Sequence, residues 1–320
     1  MSLRITHALE ASVSAAYNSR TLCQYIYRPD TPALESRKPY FHPVYTLGGN
    51  LVTIFRPHDH IWHHGIAMTC AHLALDAASS GAVENFWGGP TYVREQGHVQ
   101  LDNNGAQEHR SWDDMRCDGE RATFAESLRW VAHDGRTWLA EQRRIEVNLT
   151  TAGSGYWQLR FRFHLVNVAG GALIFGSPTT AGRPLAGYGG LFWRGPRSFT
   201  GGDILAAGGL AGPDVMGQPA AWLAYKGAHD GNAARSTLVF VDDPANPRYP
   251  TKWFVRNDPY GCASFLSTSK PSPATKLIRS LTCTISRMRC LSVCGYHRES
   301  TPLPFSPYFS FPEPGARMPP

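Results

Sequence analysis

YWQLRFRFHLV, residues 156 to 166, alternates without a break. Trp157, Leu159, Phe161, Phe163 and Leu165 fall on one side, and Gln158, Arg160, Arg162 and His164 on the other. That period of two marks a strand with one buried face. Immediately upstream, FAESLRWVAHDGRTWLAEQRRIEVNLT (124–150) reads as two strands joined around His133-Asp134-Gly135, because Asp-Gly supplies the positive φ that a tight hairpin demands. Pairing across such a turn is antiparallel.

Further out in both directions the same kind of segment recurs. TLCQYIYRP, PVYTLGGNLVTIF with its Gly48-Gly49-Asn50 turn, TYVREQGHVQLDN with a turn near Gly97, STLVFVDDP and TKWFVRN all read as strands. Turn signals every 8 to 14 residues without helical periodicity predict an all-β fold, a large antiparallel β-sandwich, over residues 1–263. AHLALDAASSG (71–81) is the one place where a short helix is expected. Composition agrees: 31 Gly, 24 Pro, 9 Trp, 13 Tyr and 15 Phe favour short strands and tight turns over helices.

From residue 264 to 320 the character changes. This segment holds nine of the prolines, is rich in Ser and Arg, and shows little period-2 pattern. It reads as a tail, either a disordered arm or an out-of-frame replacement of terminal strands. Seven Lys or Arg against two acids in this tail account for most of the formal charge of +6, so the body is nearly neutral and the charge gives no reason to expect a nucleic-acid partner. No run approaches 18 apolar residues and the first residues lack an apolar signal region, so neither a membrane partner nor export is expected. Seven cysteines without a C-x-x-C pair suit reduced thiols and a cytoplasmic location.

RPHDHIWHHG (56–65) is the densest chemistry in the chain. If it is extended, His58 and His60 share a face; if Asp59 to His64 form a turn, His60, His63 and His64 do. Imidazole titrates near neutrality and serves as acid, base or metal ligand, so His58, His60, His63 and His64 are the candidate catalytic residues, with Trp62 as a wall. The cofactor is unknown. A divalent metal at the His cluster would need a further ligand, with Glu84, His98 and His42 available. Two Gly-rich aromatic stretches read as binding loops: VENFWGGPTYV (83–93) offers Glu84, Asn85 and Trp87, and PTTAGRPLAGYGGLFWRGPRSF (178–199) offers Arg183, Tyr188 and Arg194. Aromatic rings beside Arg, Asn and Glu form the mixture that binds sugars and small polar acids. The structural alternative is that the glycines are turns, the rings are core, and the loop histidines satisfy carbonyls. No G-x-S-x-G elbow and no dinucleotide fingerprint is present.

RKPYFHPVYTLGGNLVT (37–53), RPHDHIWHHG (56–65), NFWGGPTYV (85–93), GYGGLFWRG (187–195) and NPRYPTKWFVRNDPYG (246–261) resemble, in order, the motifs of the bacterial PmoA family, labelled methane oxygenase. The resemblance implies a β-sandwich similar to the aldose-epimerase supersandwich and a link to carbohydrate metabolism; the label implies an oxidative metalloenzyme. The leading expectation is an enzyme acting on a sugar or sugar-derived acid, in which His60 and His64 do acid/base work or hold a metal and Arg183 and Arg194 orient a sugar-like small molecule. The alternative is a non-catalytic carbohydrate- or partner-binding sandwich that relies on Trp87 and Trp193.

Overall fold

The alternating stretch becomes the strand Tyr156–Asn167, and the five apolar residues of its inner side, Trp157, Leu159, Phe161, Phe163 and Leu165, are buried. In this computed structural model, residues 2–76, 82–149, 155–265, 276–277 and 280–293 are described, the last two segments as backbone. Tyr156–Asn167 lies inside a nine-stranded antiparallel sheet. On one side it pairs with Thr137–Leu149, which continues to Arg121–Val131 and Ala106–Cys117. The hairpin between residues 131 and 137 turns on Gly135 at φ +86°, as the Asp-Gly signal predicts.

A second, eight-stranded sheet runs in the order Leu3–Ala8, Ser12–Tyr17, Arg20–Ile26, Tyr40–Val44, Ile66–Cys70, Gly189–Arg194, Cys262–Ser264 and Phe254–Arg256. Its inner residues meet those of the first sheet. Phe41 packs edge-on against Phe161, and Trp193 packs against Tyr225 and Phe240. One apolar core thus joins the two sheets into a sandwich.

A polar network crosses this core. The Arg143 guanidinium donates to both Glu141 oxygens at 2.7 and 2.9 Å, to Gln107 Oε1 at 3.0 Å and to Tyr25 Oη at 2.8 Å. Tyr25 donates in turn to Glu126, which also accepts from His109 Nδ1 at 2.6 Å. Because Tyr25 lies on one sheet and Arg143 and Glu126 on the other, the network fixes the register between layers as well as satisfying its charges.

Two expectations need correction. His72–Leu75 is a strand, paired with Leu173–Gly176 and Val83–Glu84, where a short helix was predicted over 71–81; the described part of the segment is thus extended, and residues 77–81 lie outside the described residues. Nor does the sandwich stop at residue 263. The strand Ser280–Val293 runs between Tyr156–Asn167 and Arg235–Asp242 in the middle of the nine-stranded sheet. The remainder of the predicted tail, 266–275, 278–279 and 294–320, lies outside the described residues. Among the described residues no helix is long and apolar enough to cross a membrane.

Two outcomes are expected. Replacing Arg143 with Met leaves Glu141 and Glu126 buried without their cation and should cost about 3–5 kcal/mol in urea denaturation. A chain ended after Phe265 lacks a central strand, leaves two strand edges open inside one sheet, and should lose soluble yield on expression relative to the full chain.

Candidate functional site

The His-rich segment precedes the strand Ile66–Cys70 and is closed at its base, where Gly65 N donates to Ile54 O at 2.9 Å. Arg194, at the end of its strand, is stitched to both: its N donates to Gly65 O at 2.8 Å and its O accepts from Ile54 N at 3.2 Å. Gly65 has φ +55°, and a Cβ there would lie 2.2 Å from Phe41 O, so only glycine closes the loop. Within it the chain winds through turns, with His60 N donating to Pro57 O and His63 N to His60 O. This turn stacks the His60 and His63 rings, centroids 4.6 Å apart and planes 11° apart.

Both rings line a cavity of about 440 Å³. Its apolar wall is a small cluster, separate from the main core, built around Trp87, Phe192 and Phe254 with Trp62, Tyr188 and Tyr260 packed against it. The Trp62 side chain sits on Gly88 and Gly89, where an added Cβ would lie 2.7 Å from the Trp62 Cβ and 2.6 Å from its ring, respectively. That contact is the reason the His-rich motif and the Trp-Gly-Gly motif belong together.

Polar contacts set the state of each imidazole. His60 Nδ1 donates to Asp59 Oδ2 at 2.9 Å, and the same oxygen accepts from Arg194 Nη2 at 2.8 Å. Partial burial would raise the Asp59 pKa, but the hydrogen bonds from Arg194 and His60 outweigh it and hold the carboxyl down at about 2. Arg194 Nη1 donates to His63 Nδ1 at 2.8 Å. A guanidinium has only donors, so His63 Nδ1 is an acceptor and its proton sits on Nε2, which is buried and has no partner. Burial first, then the neighbouring cations and imidazoles, push His63 well below the ordinary histidine value. His60 is also lowered by burial, with Asp59 opposing the fall. Arg194 itself is almost completely buried, its Cζ 3.5 Å from the Tyr260 ring centroid.

The sequence candidates separate in space. His60, His63, Trp87, Arg183 and Tyr188 line the cavity, and Arg194 backs it through His63 and Tyr260. His64 turns to the other side of the chain, where its Nε2 donates to buried Glu35 at 2.8 Å; the expectation that it shares a face with His60 and His63 fails because residue 64 has already re-entered extended pairing, bridged to Phe55. His58 is exposed and accepts from Arg197. Glu84 accepts from the His133 backbone and ring at 2.9 and 2.6 Å, so it braces a hairpin instead of lining the cavity. Asn85 shapes the Trp87 loop: its Oδ1 accepts from Trp87 N and Gly88 N, and its Nδ2 donates to Gly89 O. Trp193 is core, donating to Val52 O. Sequence reasoning missed Arg256 and Tyr260 as lining residues, although NPRYPTKWFVRNDPYG carries both.

The four imidazoles do not offer a metal a common set of lone pairs. His60 Nδ1 and His64 Nε2 are spent on carboxylates, and His63 Nδ1 and His58 Nδ1 on arginines. Among the described residues no three His, Cys, Asp or Glu side chains gather as a metal site would require; His42 bonds Thr53, and His98 contacts Arg183 and Tyr188.

Residues 12–285 match the pattern of DUF6807, a family of unknown function. The chain belongs to that family. The match overturns the PmoA resemblance drawn from the motifs, and being to a family of unknown function it assigns DUF6807 no activity. It also runs past residue 263 into the central strand Ser280–Val293, in keeping with the sheet. Neither a curated protein nor a solved structure matches the chain.

Because Asp59 opposes the fall of the His60 pKa, replacing it with Asn should move the His60 titration further down. An NMR pH titration of the ring nitrogens reads this directly, and an unmoved or raised value would contradict the Asp59–His60 pairing.

Proposed function

We propose that the cavity is the active site of an enzyme acting on a sugar or sugar-derived acid, with His60 as general base and His63 as a neutral hydrogen-bond donor. The observation that carries this reading is the opposite polarity of two stacked imidazoles. Asp59 fixes the proton of His60 on Nδ1, which leaves the Nε2 lone pair as the basic atom. Arg194 fixes the proton of His63 on Nε2, which leaves that N–H without a partner. A ligand bound against both meets an acceptor for a proton and a donor for the oxygen on which negative charge grows. Removal of a proton next to a carbonyl, or from a hydroxyl, needs that pair. Trp62, Trp87 and Tyr260 supply flat apolar surface for the C–H faces of a sugar ring. Cys23, Cys70, Cys117 and Cys262 are free, which supports a reducing, cytoplasmic setting.

His60→Gln should lower kcat by about 10²- to 10⁴-fold with little change in KM, in a turnover screen of sugars and sugar acids. Since burial pulls the base below its ordinary value of 6.5, the acidic limb of the wild-type kcat profile should lie below that pH, with the rate rising through the limb as the base loses its proton. Full turnover in His60→Gln would reject the assignment; saturable binding of a sugar acid with no product from the wild type would instead mark a binding module.

A further inference from the structure

Two arginines line the cavity without a carboxylate to neutralise them. Arg183 Nη1 reaches His98 Nε2 at 3.3 Å, and Arg256 Cζ lies 5.2 Å from the Phe254 ring centroid; neither pairs with an acid among the described residues. Some other arginines have an acid at hand, Arg28 with Glu10, Arg129 with Glu108, Arg136 with Asp134 and Arg144 with Glu146, whereas Arg20 bonds a carbonyl and Arg197 an imidazole. No Asp or Glu lines the cavity among the described residues, and Asp59, next to the lining His60, is already held by Arg194 and His60.

Both guanidinium groups share a neighbour with Tyr188. His98 Nε2 lies 3.3 Å from Arg183 Nη1 and 3.5 Å from the Tyr188 hydroxyl, and the Phe254 ring lies 5.2 Å from Arg256 Cζ and 5.4 Å from the Tyr188 ring. Burial raises the Tyr188 phenol to about 12, and both arginines oppose the rise. The elements that present them are fixed before any ligand arrives. Arg183 closes a turn through its N to Pro178 O at 2.8 Å, and Arg256 sits on a strand paired with Cys262. Both arginines are half-buried, and a pre-positioned pair of planar donors beside a hydroxyl is complementary to an oxyanion.

We propose that the Arg183–Tyr188–Arg256 end of the cavity is an anion subsite, taking the carboxylate or phosphate of a hydroxylated ligand. This rests on the reading of the cavity as a ligand site and deepens it: the substrate is an anion, held at one end by the arginines while its reacting carbon lies against His60 and His63. A neutral sugar leaves both charges unmatched and binds weakly. Arg183, Tyr188 and Arg256 are binding residues here, and the chemistry stays with the two imidazoles.

Calorimetric titration of the full chain with glucuronate, glucose 6-phosphate, inorganic phosphate and glucose tests this. At least one of the three anions should bind saturably and at least tenfold more tightly than glucose, with a loss of about tenfold or more in Arg183→Gln and in Arg256→Gln. The relative affinities of glucuronate and glucose 6-phosphate tell a carboxylate site from a phosphate site. His60→Gln should keep the anion affinity, so failure of the acid/base reading and failure of the subsite appear in different variants. If a Gln variant does not fold, Arg→Lys at the same position keeps the charge, removes the planar fork, and should still weaken anion binding. No saturable binding of any of the three anions, binding indifferent to both arginines, or glucose bound as tightly as the anions would overturn the proposal.

Discussion

The buried guanidinium of Arg194 is the constraint from which the rest of the site follows. A charge so nearly removed from water is tolerated only with close partners, and the loop that supplies them, residues 55 to 64, is anchored by backbone hydrogen bonds to the same residue. Its Nη2 takes Asp59 and its Nη1 takes His63. Those two contacts determine where the protons of both stacked imidazoles sit. The loop conformation and the protonation pattern are therefore one structural fact, imposed by a strand of the sheet on a segment that has little regular structure of its own.

The second anchor acts from the opposite side. Buried Lys38 donates to the carbonyls of Glu35, Ser36 and Trp87 at 2.7, 3.0 and 2.9 Å, and Glu35 accepts from both Arg56 and His64. Burial lowers the Lys38 ammonium to about 7 and Glu35 resists that fall. This cluster ties the beginning and end of the His-rich segment to the Trp87 loop, and Gly88 and Gly89 leave room for the Trp62 side chain, its ring lying over Gly89. His64 thus holds the frame, while its neighbour His63 faces the cavity.

Much of the sandwich was legible in the sequence because period-2 alternation and Asp-Gly or Gly-Gly turns are local signals, clear in residues 121–167. The central strand Ser280–Val293 was not. Leu281, Cys283 and Ile285 lie opposite Leu165, Phe163 and Phe161, but Met288 and Cys290 fall one residue out of phase, where the register with both neighbouring strands shifts. A bulge there breaks the pattern that would have announced a strand. The His cluster was legible as a location only. Spacing tells which residues share a face within one turn, and it held for His60 and His63; it could not show that the chain re-enters extended pairing at His64, or that Glu35, Arg194 and Arg197 would each claim an imidazole. Asn85 looked like a binding residue because its amide suits a ligand, and the same amide suits the backbone of its own tight loop.

Two buried arginine networks in one sandwich show why burial of charge alone does not mark a functional site. Arg143 spends its guanidinium on Glu141, Gln107 and Tyr25, and the groups around it are bonded in turn, so nothing remains to meet a ligand. Arg194 also lies beneath the surface, but the network it organises ends in an unpartnered His63 Nε2–H and in a His60 Nε2 without a protein partner among the described residues, beside a cavity whose other cations are unmatched. Buried polar groups are overwhelmingly satisfied in folded proteins, and the open His63 Nε2–H is the observation on which the proposed active site rests, although Thr31, Trp112, Trp138 and Arg160 also hold an unpartnered buried atom. The difference between an internal brace and a site is thus a matter of unspent hydrogen-bonding capacity, and by that measure the cavity beside Arg194 is open where the network around Arg143 is closed.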